Sequence, residues 1–152
     1  LDAEDFVDIY RLNTVTAFQM VRACAPAMRE QDASAVVNVA SVAGLFGMGS
    51  SVAYAASKGA LITMTKSLAR VLAPAIRVNA VAPGSIEFAD GLWDRCRQED
   101  PARYAAVLAK IPFCRYGTPE EYADAVAFLA SARATYITGS VIRVDGGYLQ
   151  SI

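Results

Sequence analysis

Ala35-Val36-Val37-Asn38-Val39-Ala40-Ser41 is the stretch on which the fold turns. This short, β-branched run is apolar on both faces, as a strand inside a parallel sheet must be. A second run, Ile76-Arg77-Val78-Asn79-Ala80-Val81, leads directly into Ala82-Pro83-Gly84. Between the two, residues 52–72 place Leu61, Met64, Leu68 and Leu72 along one helical face, and Pro74 closes that helix. Strand, helix and strand in this order are the sequence form of a right-handed parallel crossover.

Upstream, Phe6, Tyr10, Ala17, Val21, Cys24 and Met28 recur at the spacing of one helical face. Asn13 falls on the same stripe, where a buried amide needs hydrogen-bond partners. After Ser41 a small-residue loop runs through Gly44, Gly47, Gly49, Ser50 and Ser51. Downstream, from Ser85 to Gly117, the pattern weakens into two short amphipathic pieces near 91–98 and 102–109, divided by Asp100-Pro101. A segment of this kind in an α/β protein suits a lid.

Thr118-Pro119-Glu120-Glu121 then predicts a capped helix, with proline at its first position and Glu121 closing a capping box. That helix runs to about Ala130, and a last strand, Val141-Ile142-Arg143-Val144, precedes Asp145-Gly146-Gly147. The order is helix, strand, helix, strand, lid, helix, strand, with no internal repeat or linker. Three parallel strands leave an edge unpaired and an apolar face uncovered, so the pattern reads as part of a larger α/β sheet.

The bulk properties narrow the function. The 152 residues suit one domain, and a net charge of −1 without a basic block argues against nucleic-acid binding. Polar residues interrupt every apolar run well short of a membrane span, and no signal peptide is evident at Leu1. Cys24, Cys96 and Cys114 are scattered without metal-ligand spacing and read as free thiols in a reducing cytoplasm.

The chain has no histidine, which removes the commonest general base. Tyr54 and Lys58 stand at i and i+4 of the central helix and share one face. A nearby ammonium favours the phenolate and draws a phenol of pKa ~10 toward neutrality, where it can exchange protons with a substrate. Ser41, at the carboxyl end of its strand, can donate to the same substrate oxygen. Both Ser41 and the Pro83-Gly84 turn lie at carboxyl ends of parallel strands, where open α/β sheets bind ligands. Each feature alone also has a plainer reading: Tyr54 as packing, Lys58 as a solvated charge, Ser41 as a strand terminator and Asn13 as a helix-bending core residue. A hydrolytic role for Ser41 would need a base, and no histidine is present to serve.

Taken together, Asn13 followed by Phe18, Asn38-Val39-Ala40-Ser41-Val42-Ala43-Gly44, Tyr54-Ala55-Ala56-Ser57-Lys58, Arg77 through Gly84, Pro119-Glu120-Glu121, and Ile137-Thr138-Gly139 through Asp145-Gly146-Gly147 carry a resemblance. The chain resembles the C-terminal part of a short-chain dehydrogenase/reductase, most of all the 3-oxoacyl-(acyl carrier protein) reductase type. The resemblance covers nearly the whole chain. It implies the C-terminal part of a doubly wound, parallel-sheet Rossmann fold, with residues 1–152 as a partial domain and 85–117 as its substrate lid.

By resemblance, Tyr54 is the general acid/base, Lys58 depresses its pKa and binds the nicotinamide ribose, and Ser41 orients the substrate oxygen. Asn13 holds a water of a proton relay through a local break in its helix. Pro83, Gly84, Ser85 and Ile86 line the nicotinamide. The implied reaction is hydride transfer between NAD(P) and a secondary alcohol or ketone in a cytoplasmic homodimer or homotetramer, without membrane or nucleic-acid partners.

Three departures stand beside this resemblance. Nothing in the chain matches the family's glycine-rich turn that holds the cofactor pyrophosphate, or the Asn-Asn-Ala-Gly segment. Phe88 stands where the family often has a threonine that contacts the carboxamide. The helix exit Val71–Ala75 is one residue short. The alternative expectation is therefore a truncated, non-catalytic member acting as a binding or oligomerisation module. Phe46, Met48, Phe88, Trp93, Phe113 and Tyr116 are candidates for an apolar substrate pocket, or equally for core packing.

Overall fold

The computed structural model describes residues 2–47 and 51–149. Three parallel strands, β1 (Ser34–Val39), β2 (Ile76–Pro83) and β3 (Val141–Val144), form one sheet in the order β1-β2-β3. Helix α4 (Val52–Leu72) makes the crossover from β1 to β2, with the bounds its apolar stripe predicts. Ahead of β1 stand α1 (Ala3–Tyr10) and α2 (Thr16–Met28), and a four-residue helix α3 (Ala43–Phe46) follows it. Between β2 and β3 come α5 (Leu92–Glu99), α6 (Pro101–Leu108) and α7 (Pro119–Ala130).

Alternation along β2 explains why helices cover the sheet on both sides. Ile76 and Val78 pack with Val21, Ala25, Ala69 and Leu72, while Ala80 and Ala82 pack with Ala40 and Ile62. The intervening residues point the other way, because successive side chains leave a strand on opposite faces. Arg77 donates to the carbonyls of Leu129 and Ser131 at 2.7 and 3.0 Å, capping the carboxyl end of α7 with a cation. Asn79 is fully buried and fully paired: its amide donates to Ile137 O at 2.8 Å and accepts from Ser140 N at 3.0 Å. That pair holds the loop that delivers β3 to the sheet. On the other face, Asn38 donates to Thr65 Oγ1 at 2.9 Å and so joins β1 to α4.

The apolar stripe from Phe6 to Met28 is interrupted by a π-turn at Arg11–Val15 that separates α1 from α2, the local helix break at Asn13 that the resemblance implies. The wider turn shifts the phase of the downstream residues, so Ala25 reaches the core while Cys24 stays exposed; Tyr10, upstream of the turn, is exposed as well. The segment after Ser41, expected as a loop, winds into α3, whose backbone packs on α4. Met48, Gly49 and Ser50 lie outside the described residues.

β1 is an edge of this sheet, and Val39 on it is 47% exposed. Leu12, Phe18 and Met20 are exposed as well. The β1 edge is left uncovered as three parallel strands imply, but the expected bare apolar face is not found among the described residues: helices lie on both sheet faces, and Leu12, Phe18 and Met20 belong to the π-turn and α2. No helix among the described residues is long and apolar enough to cross a membrane.

The capping box of α7 forms as expected. Glu121 N bonds Thr118 Oγ1, and Thr118 N donates to Glu121 Oε2 at 3.0 Å. Arg115 first, and the Thr118 amide second, hold the Glu121 carboxyl at about 2, below its ordinary 4.5. A carboxyl depressed by folding adds stability that is complete above its unfolded value and is lost as pH falls through the folded one. Glu121→Gln should therefore flatten the acid limb of the stability curve between pH 4.5 and about 2, read by chemical denaturation across pH.

Candidate active site

The β1–β2 ladder continues beyond the strands: Ala40 N donates to Val81 O at 2.8 Å and Val42 N to Pro83 O at 3.1 Å. Ser41 is thereby held beside Ala82 and Pro83, so the two strand ends singled out in the sequence are neighbours. Ser41 Oγ accepts from Ala43 N at 3.1 Å, which orients the side chain and leaves its O–H as a donor. Gly84 extends the β2–β3 ladder by donating to Val144 O at 2.9 Å. A Cβ there would stand 2.8 Å from Asp145 Cα, so the Pro-Gly turn reaches Asp145 only because residue 84 is glycine.

Helix α4 brings Tyr54 and Lys58 to the same end. Lys58 Nζ lies 5.7 Å from the centroid of the Tyr54 ring, within reach of the ring's quadrupole. The same ammonium donates to Val39 O at 2.8 Å, two residues before Ser41. Burial lowers the Lys58 pKa from its ordinary value. Close packing fixes this alignment further: a Cβ on Gly44 would fall 2.5 Å from Lys58 C and 2.6 Å from Gly59 N. The α3 backbone therefore rests directly on the turn of α4 that carries Lys58.

The π-turn supplies the remaining member. Asn13 Nδ2 donates to Ser57 Oγ at 3.0 Å, Ser57 Oγ donates to Tyr54 O at 2.8 Å, and Thr14 Oγ1 donates to Ser57 O at 2.9 Å. Asn13 thus meets the Tyr54–Lys58 turn through Ser57, and no direct bond to Lys58 is made. Ser57 and Thr14 went unnoticed as connecting groups in the sequence. Their small polar side chains on an otherwise apolar helix face were the available signal.

Ser85 and Ile86 follow β2, and Ile86 forms an isolated parallel bridge with Gly117. The bonds run from Gly117 N to Ser85 O at 3.1 Å and from Glu87 N to Gly117 O at 2.9 Å. Parallel pairing of this kind turns the N–H and C=O of Ile86 away from Gly117. A cavity of about 280 Å³ adjoins Ser85 and Ile86 on the β3 side, bordered by Phe113, Arg115, Arg143 and Asp145. Asn13, Ser41, Tyr54 and Lys58 do not line it.

Of the aromatic pocket candidates, Tyr116 is buried between Trp93 and Tyr104, with ring centroids 5.1 and 4.6 Å away. Phe46, Phe88 and Phe113 are exposed.

Gly44→Ala should force the α3 backbone off α4 at a cost of about 2–3 kcal/mol, because the clash is with main-chain atoms that cannot rotate away. Chemical denaturation measures that loss, and an unchanged midpoint would contradict the close approach.

Comparisons with known proteins agree with this architecture. A family profile described as enoyl-(acyl carrier protein) reductase matches residues 1–149. The 3-oxoacyl-[acyl-carrier-protein] reductase of Thermotoga maritima is 41% identical over 147 residues, covering 95% of this chain and 57% of that protein. A protein of Xanthobacter autotrophicus named inactive 2-(S)-hydroxypropyl-CoM dehydrogenase 2 is 40% identical over 148 residues, 96% of this chain and 64% of its own length. The ligand-free aldohexose dehydrogenase of Thermoplasma acidophilum superposes with a TM-score of 0.90 at 32% identity, covering 100% of this chain and 62% of that one. The chain spans about three-fifths of these relatives. Its profile match, its relatives and its parallel sheet with helices on both faces make the chain a member of the short-chain dehydrogenase/reductase family.

Proposed function

We propose that these residues form the catalytic part of an NAD(P)-dependent oxidoreductase that moves a hydride between nicotinamide and a secondary alcohol or ketone. The observation that carries this reading is the placement of the Lys58 ammonium against both the Tyr54 ring and the carbonyl of Val39, beside Ser41.

In this reading Tyr54 gives a proton to the carbonyl oxygen during reduction and takes it back during oxidation. Lys58 places its positive charge beside the Tyr54 ring, 5.7 Å from its centroid. Ser41 donates to the same oxygen and stabilises the charge that develops there. Asn13, bonded through Ser57 to the turn that carries Tyr54, holds the water of the proton relay. The nicotinamide, when bound, supplies or accepts the hydride.

The residues present fit such a ring. Pro83, Gly84, Ser85 and Ile86 lie at the end of β2, and the outward N–H and C=O of Ile86 match the acceptor and donor of a carboxamide. Lys58 keeps two ammonium protons beyond the one given to Val39, suited to ribose hydroxyls. The pyrophosphate falls to residues outside this chain, and residues 85–117 act as the lid. We place the enzyme in the cytoplasm as a homodimer or homotetramer, an assembly that would cover Leu12, Phe18 and Met20.

In the full-length protein, Tyr54→Phe should lower turnover of a ketone panel about a thousandfold with substrate binding retained. Activity near the parent level would exclude Tyr54 as the acid/base. A second reading, a non-catalytic binding or assembly module, draws on the exposed apolar surface and on the relative named as inactive. Absence of turnover with both NADH and NADPH in the full-length protein would favour it.

A further inference from the structure

Between β2 and α7 the buried large apolar side chains, Ile111 and Tyr116, lie in the returning loop and not on the two helices of the segment. Cys96 is the one buried residue of α5, and α6 has none. Elements with so few buried contacts open at low free energy unless something else retains them.

What retains them converges on one carboxylate. Glu87 follows Ile86 directly, and its backbone N–H is already fixed to Gly117 O at 2.9 Å. From α6, Tyr104 Oη donates to Glu87 Oε2 at 3.0 Å. From α5, Arg97 Nη1 stands 3.4 Å from Glu87 Oε1, and the other arm of that guanidinium pairs with Asp94. From the returning loop, Tyr116 Oη donates to Tyr104 O at 2.8 Å and its ring stacks on Tyr104 and Trp93.

Burial first, and the Glu87 carboxylate second, push the Tyr104 phenol up, so it remains a donor across the physiological range. Glu87 Oε1 is buried with no hydrogen bond among the described residues. Arg97 Nη1, 3.4 Å away, faces that oxygen without a hydrogen bond, which leaves the docked arrangement held but not fully satisfied among the described residues.

We propose that Glu87 is the anchor of the lid. It is a positioning residue on which α5, α6 and the returning loop converge, and it sets how firmly the lid closes over Ser85 and Ile86. The assignment of that turn as the nicotinamide site rests on the function proposed above. The convergence on Glu87 does not.

The test is hydrogen exchange and steady-state kinetics on the full-length protein carrying Glu87→Ala, Glu87→Gln or Tyr104→Phe. Losing a hydrogen bond to a charged group should speed exchange of amides 92–108 about tenfold, with amides 76–83 at parent protection. Substrate KM should rise about tenfold with kcat within about threefold, since the chemical groups stay in place. Glu87→Gln, which keeps an acceptor for Tyr104, should fall between the parent and the alanine variant.

Parent-like exchange in Glu87→Ala and Tyr104→Phe would overturn the proposal, as would loss of protection spread equally over 76–83. Loosened exchange with unchanged KM would also overturn it. If Glu87→Ala does not fold, Tyr104→Phe decides, because it removes a single hydroxyl. Exchange needs no turnover, so a full-length protein without activity would count against the proposed function while the anchor is still judged on exchange alone.

Discussion

Lys58 reaches across from α4 to the carbonyl of Val39, and the rest of the site depends on that bond. It spans from the second turn of a helix to the last residue of an edge strand, so it sets the helix position relative to the strand end. The ammonium is drawn partly out of water in the process, which accounts for its lowered pKa. Gly44 reinforces the same alignment through shape, because its missing side chain lets the α3 backbone lie on the Lys58–Gly59 peptide. A cation and a steric gap thus act on the same turn of α4, and Tyr54 is carried with it.

Buried polar side chains do a related task in the interior. Asn38, Asn79, Thr65 and Ser57 are all buried, and each is paired. An apolar residue at any of these positions would pack, but it would not specify which backbone group lies opposite. Asn79 fixes the entry of β3, Arg77 ends α7, and Ser57 joins the π-turn to the helix that carries Tyr54. These bonds convert a generic parallel sheet into one with a defined register at its carboxyl edge, where Ser41, Tyr54 and Lys58 are brought near one another.

The protein is uneven in how it holds its parts. The sheet and α4 rest on apolar burial, with Ile76, Val78, Val81 and Leu129 essentially removed from solvent. Within the 85–117 segment, Ile111 and Tyr116 are buried in the returning loop, while α5 and α6 are tied by hydrogen bonds, an ion pair and aromatic stacking around Glu87 and Tyr104. Helices with so few buried residues open at lower free energy than the sheet. On the far side, the unpaired β1 edge and the exposed Leu12, Phe18 and Met20 leave apolar surface that a larger assembly would bury.

Much of this was legible in the chain. Helix α4, α7 with its capping box, and β3 followed from local rules, because periodicity, a proline at the first helical position and β-branched runs act over a few residues. Spacing alone placed Tyr54 and Lys58 on one face, and strand ends placed Ser41 near Pro83. Other features depended on contacts between residues far apart in the chain. The π-turn answers to Ser57, forty-four positions beyond Asn13. The winding of α3 answers to a helix that a glycine lets approach, and Glu87 gains its meaning only from Tyr104, Arg97 and Tyr116 folded around it. Local sequence sets which elements form, since their energetics are local. Tertiary packing decides which polar groups meet, since a buried hydrogen bond has value only once water has been excluded from both partners.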